Sequence, residues 1–113
     1  MPHRLEQVSE LIRHEVANLL LTEIEFPKGC LVTITETEVS KDLRHAKISI
    51  SIMPGYLTGK VLTKLKAEIG NLQFLLNQRL SMRPLPRIRF VIDKTEQKAA
   101  AIEELLDQIK KNG

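Results

Sequence analysis

The segment KVLTKLKAEIGNLQFLLNQRLSMRPLPRIRF, from Lys60 to Phe90, decides how the rest of the chain is read. Val61, Leu65, Ile69, Leu72, Leu76 and Leu80 recur at steps of three or four, which draws one apolar stripe along a helix and straight through Gly70. A glycine inside a helix costs about 1 kcal/mol relative to alanine. Gly70 therefore points to a kink, a close backbone approach or a helix restart capped by Asn71, with a single long helix and a tolerated glycine as the plain alternative. Arg83-Pro84-Leu85-Pro86 stops the helix, because each proline removes a donor and pushes the residue before it towards extended geometry. Arg87 to Ile92 then alternates as a strand, with Ile88, Phe90 and Ile92 on one face and Arg87 and Arg89 on the other.

The remaining sequence fits around that segment. A chain of 113 residues makes one compact domain, 1–113, with room for a real core and none for a second domain. Its 42% hydrophobic and 27% charged content are ordinary for a soluble protein, and no apolar run approaches the roughly 20 residues of a membrane span. The start, Met1-Pro2-His3-Arg4-Leu5-Glu6, lacks the apolar core of a secretory signal, which predicts a cytoplasmic protein without membrane contact. Cys30 is the single cysteine, so neither an internal disulfide nor a thiol pair can form, and it reads as a small residue opening a strand.

Charge is distributed unevenly. Between Leu43 and Ile92 nine basic residues face one acid, Glu68, whereas residues 1–42 carry four basic and eight acidic groups. Such polarisation usually serves phosphate recognition, and a solvated face or an acidic protein partner is the competing explanation.

Arg4 to Thr22 reads as a first helix, with Leu5, Val8, Ile12, Val16, Leu19 and Leu20 on its covered face. Phe26-Pro27-Lys28-Gly29 is a turn, Leu31 to Ser40 a strand, and Ser40-Lys41-Asp42-Leu43 a connection to a second strand beginning at Ala46. Ala46, Ile48, Ile50 and Ile52 alternate with Lys47, Ser49, Ser51 and Met53, which predicts an antiparallel hairpin with its polar positions towards solvent. Asp93 and Glu96 resemble a capping pair for a final helix over Thr95 to Lys111. The order helix, strand, strand, helix, glycine, helix, strand, helix is α+β, with a three-stranded sheet covered on one side.

Catalytic chemistry is sparse. His3, His14 and His45 fall on a terminus, a polar helix face and a turn, and no phosphate loop, dinucleotide fingerprint or zinc spacing occurs. Asp42 and Asp93 read as a turn residue and a cap. No enzyme activity, cofactor or metal is expected.

Leu31-Val32-Thr33-Ile34-Thr35, Val39-Ser40-Lys41-Asp42-Leu43 and Ala46-Lys47-Ile48-Ser49-Ile50-Ser51 resemble the hairpin signature of bacterial ribosome-binding factor A. The likeness extends to Arg4-Leu5-Glu6-Gln7-Val8, Ile12 to Leu20, Gly70-Asn71-Leu72, Arg79-Leu80, Pro86 to Phe90 and Asp93, nearly the whole chain. It implies a type II KH-like domain with an Ala-x-Gly kink between helices, where this chain reads Glu68-Ile69-Gly70. It also implies a monomeric, non-catalytic assembly factor for the small (30S) ribosomal subunit and its 16S rRNA, acting late, in rRNA 5′-end processing and in growth in the cold. Ribosomal proteins and assembly GTPases are further partners that the resemblance admits. KH-like modules hold single-stranded or irregular RNA across a helix, a kink and a strand. Lys60, Lys64, Gly70, Asn71, Arg79, Arg83, Arg87 and Arg89 occupy that region and form the expected RNA-binding set. The rival reading is an α+β interaction module whose basic face meets an acidic protein.

Overall fold

Residues 4–93 are described in this computed structural model. Helix α1 (Arg4–Glu23) leads to strands β1 (Leu31–Val39) and β2 (His45–Met53), a 3-10 turn (Gly55–Leu57), helix α2 (Thr58–Arg79) and strand β3 (Arg87–Ile92). The expected final helix over Thr95 to Lys111 lies outside the described residues.

The sheet order is β1-β2-β3. β1 and β2 form the expected antiparallel hairpin, whereas β3 returns parallel to β2 after the α2 crossover, placing Ala46 beside Ile88 and Ile48 beside Phe90. One face of the sheet is covered: Ile48, Ile50 and Ile52 meet Ile12, Val16 and Leu19 of α1 and Val61, Leu65, Leu72 and Leu76 of α2 in a single buried cluster. Each such aliphatic side chain contributes about 1.5–3 kcal/mol over its exposed state. The architecture is the expected α+β arrangement and is consistent with a KH-like fold.

Two expectations about local structure are corrected. α2 is one helix through Gly70, so there is no helix restart at Asn71; Gly70 does not have positive φ, and a Cβ there would meet nothing within 4 Å. Four favourable apolar positions on the buried stripe outweigh one glycine on the exposed side. The polar positions of β2 are also not all solvated, because Ser49 is 7% and Ser51 2% exposed. β2 is the central strand, and its small serines lie in the shelter of their larger neighbours Glu36, Thr33 and Val91 on either side.

A bulge between Ile34 and Glu36 shifts the β1 register. Val32 and Ile34 are even-numbered and Val39 is odd, so strict alternation could not place all three on the covered face; the extra residue, Thr35, resolves the conflict. Its hydroxyl donates to the Ser49 carbonyl at 3.3 Å.

Candidate nucleic-acid interface

The eight expected residues do not form one patch. Lys60 and Lys64 project from the first half of α2 beside the loop after α1, where a recess of about 780 Å³ also contains Lys28, Glu25 and Glu68. Lys64 and Glu68 stand one turn apart yet form no ion pair among the described residues. Asn71 is exposed and continues the row that Lys60 and Lys64 begin, at the spacing i, i+4, i+11. Arg79 turns towards α1, where its guanidinium lies 3.5 Å from the half-buried Glu15 carboxylate. That contact ties the two helices together and neutralises one charge of the expected set.

Gly70 belongs to a different row, Lys66, Gly70, Gln73 and Asn77, which faces the free edge of β3. Here the Gln73 side chain accepts the Ile88 N–H at 2.8 Å and donates to the Pro86 carbonyl at 3.1 Å. Gln73 and Asn77 line a cleft of about 340 Å³ with Leu85, Arg83 and Arg87. Two guanidinium groups and two amides thus converge at the helix–strand edge. The guanidinium is suited to phosphate and to base stacking, and the Asn77 NH2 to base edges, while the Gln73 amide is committed to β3 and to Asn77 Oδ1. Arg89 lies on the uncovered face, in a depression of about 220 Å³ with Glu38, Ser40, His45 and Lys47. Lys47 is 3.3 Å from Glu38, which leaves Arg89 without a partner among the described residues.

Sequence reasoning missed Gln73 and Asn77. Their spacing from Gly70 carried a signal, but only the position of β3 shows that this row faces a strand edge. Burial pushes the Cys30 thiol up, and Asp42 accepts the Ser40 hydroxyl at 2.6 Å and the Arg44 N–H at 3.1 Å.

Comparison with known proteins bears on the family and the fold. The family model described as ribosome-binding factor A matches residues 4–106. This chain belongs to the ribosome-binding factor A family. The Akkermansia muciniphila ribosome-binding factor A is 33% identical over 112 residues, covering 99% of this chain and 89% of its relative. A Thermotoga maritima protein, provisionally classed as a ribosome-binding factor A, has a solution structure that matches with TM-score 0.69 and 23% identity, over 84% of this chain and 92% of that one. A homology model of the Thermus thermophilus ribosome-binding factor A, as fitted into the cryo-EM map of its 30S complex, matches with TM-score 0.63 and 22% identity, over 77% of this chain and 92% of that one. At these identities the structural matches speak for the fold of the family member.

Proposed function

We propose that this ribosome-binding factor A family member is a non-catalytic, cytoplasmic, monomeric assembly factor that binds the immature small ribosomal subunit through its rRNA. Late maturation, rRNA 5′-end processing and growth in the cold are the processes it serves. The edge cleft carries the proposal: Arg83 and Arg87 converge there with the Gln73 and Asn77 amides. Arg89 extends the positive charge onto the sheet, while Lys60, Lys64, Gly70 and Asn71 supply the contacts along α2. Arg79 acts by fixing α2 to α1 and remains within reach of RNA at the end of the helix. Membership of the family and the 30S complex of the Thermus factor support the same reading.

Phosphate neutralisation makes the reading testable. With about four to six phosphate contacts, log K against log salt has a slope of roughly −3 to −5. Titration of an in vitro small-subunit rRNA transcript measures that slope, and sedimentation of a cell extract shows whether the protein travels with free small subunits. A flat salt response, or salt-resistant capture of an acidic protein in place of RNA, sinks the proposal.

A further inference from the structure

The β1–β2 turn, whose Ser40 and His45 border the Arg89 depression, is held by a dense set of hydrogen bonds. The Ser40 N–H donates to the His45 carbonyl at 2.9 Å, and the Leu43 N–H to the Ser40 carbonyl at 2.9 Å. The Ser40 hydroxyl donates to Asp42 and accepts the His45 N–H at 3.0 Å. Leu43 holds φ at 61°, a conformation that side chains other than glycine rarely adopt, and its side chain packs against the core. Such outliers persist only where their surroundings over-determine them, and they concentrate at functional sites.

What this framework displays is positive charge. Lys41 and Arg44 are exposed and neither side chain forms a hydrogen bond or a close ion pair among the described residues, although Arg44 lies near enough to Asp42 to help hold its carboxyl charged. The Arg44 carbonyl accepts the Arg87 N–H at 2.9 Å, which brings the turn against the start of β3. His45 sits beside Arg87 and Lys47 beside Arg89 across the β2–β3 pair. The acids at this corner are committed: Glu38 to Lys47, and Asp42 to the turn itself.

We propose that the Lys41–His45 turn is a second RNA-phosphate contact site, remote from Lys60 and Lys64. The proposal rests on the RNA-binding reading above and deepens it. β2 runs nine residues from His45 to Met53, so the turn and the start of α2 are separated by roughly 26 Å at about 3.3 Å per residue. One protein thereby holds RNA backbone at both ends, bridging two segments of a folded rRNA. RNA is favoured over an acidic protein because protein interfaces centre on apolar anchors. The exposed apolar residues of the sheet, Leu31 and Met53, are paired at its opposite end.

Salt-dependent titration of an in vitro small-subunit rRNA transcript tests the site with four proteins: wild type, Lys41→Ala/Arg44→Ala, Lys41→Arg/Arg44→Lys and Lys60→Ala/Lys64→Ala. Loss of two phosphate contacts lowers the steepness of the salt slope by about 1.4–1.8, with affinity down roughly tenfold at low salt, while the charge-conserving pair keeps the wild-type slope. Thermal melts confirm that the exposed substitutions leave the fold in place. If the alanine pair matches wild type while the Lys60/Lys64 variant weakens, the turn is idle and the RNA-binding reading stands. If wild type binds no RNA, both fall. If the alanine pair loses binding to poly-glutamate and keeps it for RNA, the corner is a protein site and the proposal is overturned.

Discussion

The Gln73 Oε1 atom accepts the Ile88 N–H at 2.8 Å, so a helix side chain occupies the outer edge of β3 where another strand could pair. The same amide donates to the Pro86 carbonyl and to Asn77 Oδ1, each at 3.1 Å. Exposed strand edges invite pairing with other chains, and Gln73 blunts this one. Gln73→Ala leaves a half-buried backbone donor and acceptor unmatched, and we expect it to destabilise by about 1–3 kcal/mol. Urea denaturation reads the change; a stability equal to wild type would mean that water replaces the amide in full.

Gly70→Ala is expected to stabilise the protein by about 0.5–1 kcal/mol, because α2 is continuous there and a Cβ meets open space. RNA affinity should stay within about twofold of wild type, since alanine adds neither charge nor much bulk. Chemical denaturation paired with a binding titration checks both. A less stable alanine variant would show that the backbone uses glycine's freedom after all.

Glu68 shares its recess with Lys28, Lys60 and Lys64. With no ion pair to Lys64 to be lost, Glu68→Ala should preserve the fold. Its carboxylate repels any phosphate drawn to those lysines, so the variant should bind RNA more tightly at low salt than wild type, by a margin that shrinks as salt screens the repulsion. Titrations at two ionic strengths decide; equal or weaker binding by the variant at low salt places RNA elsewhere.

The Ser40 hydroxyl, followed by the Arg44 N–H, holds the Asp42 carboxyl below its ordinary value of 3.8. A depressed carboxyl stabilises the folded turn above its unfolded value and loses that contribution as pH falls through the folded one. The Arg44 amide should therefore exchange faster relative to the sheet amides only in strongly acidic solution. Amide exchange by NMR follows this directly. Asp42→Ala should show the faster exchange already at neutral pH, and a variant as protected as wild type would remove Asp42 from the turn's support.

Much of this fold was legible because local pattern and tertiary need coincide. The α1 stripe, the alternation of β2, the Asp42 turn and the proline stop before β3 each follow from spacing and backbone chemistry. The misreadings arise where tertiary context decides. Gly70 breaks local propensity, but the apolar row on the other side of α2 overrides it. Ser49 and Ser51 look solvent-facing until a strand lies on each side of β2. Arg79 looked like a free cation, whereas Glu15, distant in sequence, claims it. Of the interface, the arginines were visible as charge. Gln73, Asn77 and the cationic turn were not: the i, i+3, i+7 spacing from Gly70 reveals a shared helix row but not the strand edge it faces, and an isolated Lys41 carries no periodic signal.

The parallel pairing of β3 also orders the events of folding. The hairpin closes through a short turn, whereas His45 and Arg87 become neighbours only after an entire helix and its flanking loops have been traversed. Contacts between residues so far apart in sequence form late, since their loop-closure entropy must be met first. On the ribosome that makes it, a nascent chain displays its helices and hairpin before β3 emerges. The cationic corner is thus assembled by the last described strand to dock, and an unfinished chain leaves Arg87 and Arg89 apart from Arg44 and His45.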